Sequence, residues 1–111
     1  MTVQSKKYLD DILFAIESIE EFIVDINSFA EYTNDKKTRS AVERQMGIIG
    51  EAANKYDKLN LKKPLKNLKQ IIGLRNRIIH ADDSIDDAII WAIIKNYLSP
   101  LKKEVQQKIS K

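Results

Sequence analysis

Apolar residues recur at intervals of three and four along most of the chain, the spacing of a helix that buries one face. The first such segment runs from about residue 5 to residue 26, with Ser5 as its expected N-cap. Its apolar positions are Tyr8, Leu9, Ile12, Leu13, Ile16, Ile19, Phe22, Ile23 and Ile26. Asn27 and Ser28 break the pattern, and residues 29–32 are expected to form a short turn of helix.

A second long helix is predicted over residues 35–59, with Asn34 as its N-cap. Its apolar face is formed by Ala41, Val42, Gln45 or Met46, Ile49, Ala52, Ala53 and Tyr56. Gly47 and Gly50 lie inside this helix, where each costs about 1 kcal/mol relative to alanine. Two such costs within one helix indicate that another helix approaches it closely.

The second half of the chain predicts further helices joined by short connections. A basic loop at residues 60–64 precedes a third helix over residues 65–80, and residues 81–83 form a turn. Asp83 or Ser84 can cap a fourth helix, while Ser99 and Pro100 mark either a kink or the start of a last helix. We therefore predict an all-α fold, an antiparallel bundle of four to five helices in one domain over residues 1–111.

Composition agrees with this architecture and narrows the setting. The chain has 111 residues with three glycines, two prolines and no cysteine, which excludes disulfides and thiolate metal sites. No apolar run has the length of a membrane span, and the N-terminus lacks the pattern of a signal peptide. We expect a soluble cytoplasmic protein that does not enter a membrane.

Charge is distributed unevenly along the chain. Residues 10–35 contain eight acids and no base, whereas residues 55–77 contain eight bases and one acid. One interpretation is a basic surface for a polyanion such as RNA, with Lys69 and Arg77 as candidate RNA-contacting residues. The alternatives are that an acidic helix packs beside a basic one, or that the lysines only solvate a helix face.

The predicted third helix contains an arginine where an apolar residue is expected. On a helical wheel Arg75 lies within the stripe of Leu68, Ile71, Ile72, Ile78 and Ile79. A guanidinium on an apolar face is costly unless it is paired or meets a special surface. Arg75 is therefore either an edge residue, paired to an acid such as Glu51 or extended towards water, or a functional group.

Three polar residues at the end of this helix suit phosphodiester cleavage. His80 is the chain's one histidine, and Asn76 lies four residues before it on the same helix face. An RNA 2′-hydroxyl can attack the phosphate when a base removes its proton and an acid protonates the leaving oxygen, so no metal is required. Imidazole can serve as either group, and Arg75 can stabilise the charge on the phosphate.

A single histidine cannot easily act as acid and base in one step. A two-fold homodimer would bring two histidines and two arginines together and would cover the apolar surface around Arg75. We therefore expect the active form to be a homodimer.

These residues resemble a known signature. The segment from Ile71 to His80, IIGLRNRIIH, is similar to the R-N-x-x-x-H motif of HEPN ribonucleases, particularly the HepT-like toxins of MNT–HEPN toxin–antitoxin modules. Further similar blocks are YLDDIL followed by AIE near the N-terminus, Lys37-Thr38 with IIGEAA, and WAIIKN with the later PLK. The resemblance extends over nearly the whole chain.

The resemblance implies a dimeric HEPN-like helical bundle that cuts RNA without a metal or another cofactor. Arg75 and His80 would be catalytic, and Asn76 would orient His80 or the phosphate. The protein would be the toxin of a type II toxin–antitoxin module, neutralised by a cognate MNT nucleotidyltransferase antitoxin. The alternative is a catalytically silent HEPN subunit that binds a nucleotide or a nucleotidyltransferase.

One position departs from the family pattern. Many HepT toxins have a tyrosine two residues after the histidine, which the antitoxin adenylylates, and this chain has Asp82 there. A carboxylate does not form the stable ester that a phenol forms with AMP. We therefore expect neutralisation by complex formation, and the extra negative charge could lower activity.

Overall fold

The structure, a computed structural model, describes residues 2–59, 65, 73 and 87–110. These residues form α1 (Val3–Phe22), α2 (Phe29–Asn34), α3 (Lys36–Lys58), α4 (Asp87–Asn96) and α5 (Leu98–Ile109). The part of the chain described contains no strand, so the predicted all-α class is confirmed. None of its helices is long and apolar enough to cross a membrane.

Helix α1 begins earlier than the sequence pattern predicted. Thr2, not Ser5, is its N-cap: the Ser5 backbone N–H donates to the Thr2 hydroxyl at 3.0 Å, and the Thr2 N–H donates to the Ser5 hydroxyl at 3.0 Å. This reciprocal pair satisfies two backbone donors that the helix itself leaves free. Helix α1 ends at Phe22, four residues before the predicted end, and residues 23–25 form a turn.

The connection between α1 and α3 contains more helix than expected. Ser28 caps α2 by accepting from the Glu31 N–H at 3.2 Å, and α2 continues to Asn34. Asp35, not Asn34, therefore caps α3, because Asn34 still belongs to α2. The Asp35 carboxylate accepts from the Thr38 N–H at 3.0 Å and from the Thr38 hydroxyl at 2.8 Å.

A continuous apolar core joins the helices. Helix α1 packs mainly on α3 and also on α5, while α4 packs on α5 and on α2. Fully buried members from α1, α3 and α5 include Ile16, Ile19, Val42, Ala53 and Val105. Burial of an isoleucine side chain of this kind contributes about 1.5–3 kcal/mol to folding. Most of the predicted apolar stripes of the first two long helices thus form the centre of the fold, but Phe22, at the end of α1, is exposed.

The carboxyl-terminal helices follow each other almost directly. Helix α5 begins at Leu98, and Tyr97 is its N-cap, so of the two alternatives for Ser99 and Pro100 the one in which a helix starts there, with Ser99 as N-cap, is wrong by two residues. Pro100 is the third residue of α5, where its missing N–H costs nothing because that donor has no partner within the helix. The predicted caps Asp83 and Ser84 of the fourth helix lie outside the described residues, as does most of the predicted third helix.

Candidate active site

The residues that the sequence singled out for chemistry lie outside the part of the chain that the structure describes. This applies to Arg75, Asn76, Arg77 and His80, and also to Lys69 and Asp82. The assignment of these side chains therefore rests on the sequence. Among the described residues, no group of three or more acids, histidines or cysteines could hold a metal ion.

Two described residues lie within the predicted third helix. Leu65, at its start, is 3% exposed and belongs to the apolar core. Gly73 is helical and exposed, and a Cβ built on it would meet no heavy atom of a described residue within 4 Å. Of these two residues, Leu65 thus belongs to the core and Gly73 lies at the surface.

Beyond the motif, the first residue described is held by an ion pair. The Arg39 guanidinium lies 3.4 Å from the Asp87 carboxylate, and the two side chains are 28% and 22% exposed. This pair links α3 to the first turn of α4, where a helix favours an acid. We call Tyr32, Arg39, Glu43 and Asp87 the polar junction.

The polar junction leaves two buried donors without a hydrogen-bond partner among the described residues. They are the Tyr32 hydroxyl and the Arg39 Nε. The Tyr32 ring itself is well packed, with its centroid 5.4 Å from that of Trp91, and burial raises the pKa of its hydroxyl. The Tyr32 ring is therefore well packed, while two donors of the junction lack a hydrogen-bond partner among the described residues.

The Glu43 carboxyl is affected by burial and by the charges of the same polar junction. Burial raises the pKa of its carboxyl, and the negative charge of Asp87 raises it further, while Arg39 opposes both effects. The Arg39 guanidinium thus interacts electrostatically with the carboxylates of both Asp87 and Glu43. Sequence reasoning missed this cluster, because Arg39 and Glu43 lie one turn apart beside the predicted apolar stripe, where charged residues are ordinary, and Asp87 is more than forty positions away in sequence.

A groove of about 310 Å³ runs between α1 and α3 on the surface. The small residues Gly47 and Ala52 are among those that line it. Charged side chains of both signs line its edges, and Lys7–Asp11 and Lys55–Glu51 pair within their own helices at 2.9 and 3.6 Å. The groove therefore has no strong preference for anions or cations.

The acids of the amino-terminal half are concentrated on α1. Glu20 pairs with Lys102 of α5 at 2.7 Å, and Asp10 pairs with Lys6 within α1 at 2.8 Å. Glu17 and Glu21 are exposed and form no ion pair with another described residue. The outward side of α1 is therefore negatively charged.

Comparison with known proteins gives a consistent result. The family described as "Ribonuclease HepT-like" matches residues 12–108. "Putative RNase MJ1380" of Methanocaldococcus jannaschii is 38% identical over 103 residues, which cover 91% of this chain and 93% of that protein. "Probable ribonuclease HepT" of Thermococcus cleftensis is 36% identical over 106 residues, covering 92% and 93%.

A third relative also matches this chain over nearly the full length of both proteins. "Putative RNase TTE0752" of Caldanaerobacter subterraneus subsp. tengcongensis is 32% identical over 107 residues, which cover 96% of this chain and 95% of that protein. No solved structure matches the chain. The family match includes the whole stretch from Arg75 to His80, all of α2, α3 and α4, and most of α5, but only the second half of α1. The chain thus belongs to the HepT-like ribonuclease family and is a ribonuclease.

Proposed function

We propose that this ribonuclease is a metal-independent endoribonuclease that acts as the toxin of a type II toxin–antitoxin module. Its neutralising partner would be a cognate MNT nucleotidyltransferase. The observation that carries the proposal is the family match over residues 12–108, which contains the complete R-N-x-x-x-H motif. The substrate is RNA, and the acting form is a homodimer of this single-domain chain in the cytoplasm.

The motif supplies the groups that RNA cleavage needs. His80 would exchange the proton of the 2′-hydroxyl or of the leaving 5′-oxygen, since imidazole changes protonation near neutral pH. Arg75 would hold the phosphate through its planar, permanently charged fork. Asn76 would orient His80 or the phosphate, and Lys69 and Arg77 would contact the RNA backbone.

The proposed dimer would supply both groups that proton transfer needs. One imidazole must accept a proton while another group donates one, and the chain contains a single histidine. Two copies related by a two-fold axis supply two imidazoles and two guanidinium groups around one phosphate.

Described residues on either side of the motif are held by tertiary contacts. Before the motif, the nearest described residue with tertiary contacts is Leu65, which is buried in the core. After the motif, it is Asp87, which pairs with Arg39 in the polar junction.

The central test is cleavage of RNA by the purified protein in the presence of EDTA. His80→Ala and Arg75→Ala should each reduce the cleavage rate by about 10²–10⁴-fold, the contribution typical of acid–base and charge-stabilising groups. Lys103→Ala, an exposed change on α5, is the matched control and should cleave normally. The molecular mass in solution should remain that of a dimer for all three variants.

Two outcomes would contradict the enzymatic assignment of the motif. Cleavage that survives both substitutions would place the activity elsewhere, and cleavage that stops in EDTA would show a metal-dependent reaction. A protein that binds the neighbouring nucleotidyltransferase but cleaves no RNA would instead be the silent HEPN subunit. Growth and RNA integrity after expression with and without the neighbouring gene would test the toxin role.

A further inference from the structure

Helix α1 presents an aromatic ring to solvent at the middle of its outward face. Phe14 is 71% exposed, although most large apolar residues of α1 contribute to the core. It lies in a line of exposed residues spaced alternately by four and three, on the side opposite Leu9 and Ile16. We call this line the outer stripe of α1: Val3, Lys7, Asp10, Phe14, Glu17 and Glu21.

The charge of the outer stripe limits what can bind there. Its three carboxylates and one ammonium give a net charge of −2, and no base occurs anywhere in residues 10–35. RNA is a polyanion, so this face repels the substrate of the enzyme. Phe14 therefore does not serve as a stacking platform for a nucleotide base.

The same charge disfavours a second copy of this chain. An antiparallel two-fold contact through the outer stripe would stack Phe14 on its equivalent and would bring two surfaces of net charge −2 together. Asp10 of each copy would lie near Glu17 of the other, and only Lys7 near Glu21 would offset this repulsion. Like charges that face each other across an interface cost several kcal/mol. The homodimer should accordingly form through another surface.

We propose that the outer stripe of α1 is the docking surface of a protein partner that inserts Phe14 into an apolar pocket and surrounds it with lysine or arginine. This inference rests on the proposed function, in which the partner is the antitoxin. Buried aromatic residues dominate the energy of protein interfaces, and Glu17 and Glu21 are exposed acids that a basic rim can reach. Val3, 91% exposed, extends the apolar contact at one end of the stripe.

The test measures binding of the purified nucleotidyltransferase encoded beside this gene to the full-length dimer. Phe14→Ser should weaken binding by about thirtyfold or more, as expected for an aromatic anchor. The double variant Glu17→Lys/Glu21→Lys should weaken it by at least tenfold, and affinity for the wild type should fall as salt is raised. Val24→Ser and Asp57→Lys, exposed changes outside the stripe, are the matched controls and should bind normally.

RNA cleavage in EDTA separates this proposal from the proposed function. The stripe variants should cleave RNA as the wild type does but escape inhibition by the nucleotidyltransferase. If they bind it normally, or if salt does not affect binding, the docking surface is wrong while the ribonuclease assignment stands. A nucleotidyltransferase that does not bind the wild type overturns this inference as well as the antitoxin pairing. If Phe14→Ser turns the dimer into a monomer, the stripe is instead a contact between copies.

Discussion

Helix α3 meets its neighbours in two chemically different ways. Its face towards α1 contains apolar side chains such as Val42, Ile49 and Ala53, each with an exposed fraction of at most 1%. Near its start it offers Arg39 and Glu43, which meet the acid at the beginning of α4. One helix therefore has both an apolar contact with α1, which we call the dry contact, and a polar junction. The two are separated by only a few residues.

The difference shows how stability and alignment are distributed. Apolar contacts have no preferred direction, so the α1–α3 contact contributes energy in proportion to the area removed from water. Charged and hydrogen-bonding groups require particular distances and angles, so the polar junction specifies where α4 begins. Because α4 follows the motif segment in sequence, this junction fixes the first described residue after the proposed catalytic histidine.

The largest expected effect is on the dry contact. Ile16→Ala removes a fully buried side chain and should lower the free energy of unfolding by about 2–5 kcal/mol, through lost burial and the cavity that remains. Phe14→Ala on the same helix is the matched control, since Phe14 is 71% exposed, and should change stability by less than about 0.5 kcal/mol. Urea unfolding measures both, and equal losses would refute the assignment of the two helix faces.

A smaller loss is expected from the ion pair. Arg39→Leu leaves the Asp87 carboxylate partly buried without its guanidinium, and should cost about 1–2 kcal/mol. A double-mutant cycle with Asp87→Ala isolates the interaction and should give a coupling free energy of about 1 kcal/mol. A coupling free energy of zero would mean that the pair contributes nothing to holding α4.

The unpartnered hydroxyl predicts a change in the opposite direction. Tyr32→Phe retains the ring that packs on Trp91 and removes a buried hydroxyl that has no hydrogen-bond partner among the described residues. Stability should remain equal or increase by up to about 1 kcal/mol, because that group is desolvated only in the folded state. A clear loss on thermal unfolding would reveal a hydrogen bond to this hydroxyl.

The smallest expected effect on stability is one that changes with pH. The folded state raises the pKa of Glu43, so the folded protein binds this proton more tightly than the unfolded chain does. The corresponding stability is fully present below the unfolded pKa and is lost as pH rises through the folded pKa. Glu43→Gln should therefore be more stable than the wild type at neutral pH, and the gap should narrow as the pH falls below the folded pKa. A gap that widens on acidification would contradict this sign.

Helical periodicity was sufficient to predict the main elements but not their ends. The stripes of α1 and α3 follow directly from apolar spacing, because that spacing is itself the consequence of a buried face. The caps differed by one to three residues, since Thr2 and Ser5, or Asn34 and Asp35, are all residue types that favour N-cap positions. Local sequence does not decide between such candidates when they lie within one turn of each other.

Only part of the candidate chemistry has a signal in the sequence. Arg75 stood out because it interrupts an apolar stripe, and His80 because the chain has no other histidine. The polar junction had no comparable signal, because Arg39, Glu43 and Asp87 each look like ordinary surface charges in sequence. Pairing between elements that are far apart in the chain depends on how helices pack, which spacing within one helix does not contain.

The chain also carries its own optical reporter of the polar junction. Trp91 is the only tryptophan, and its ring contacts those of Phe29 and Tyr32, with the Lys95 ammonium 4.7 Å from its own ring centre. Indole emission responds to nearby charge and to water. A shift in that emission therefore signals separation of α4 from α2, and a shift that precedes the loss of helical circular dichroism identifies local opening rather than global unfolding.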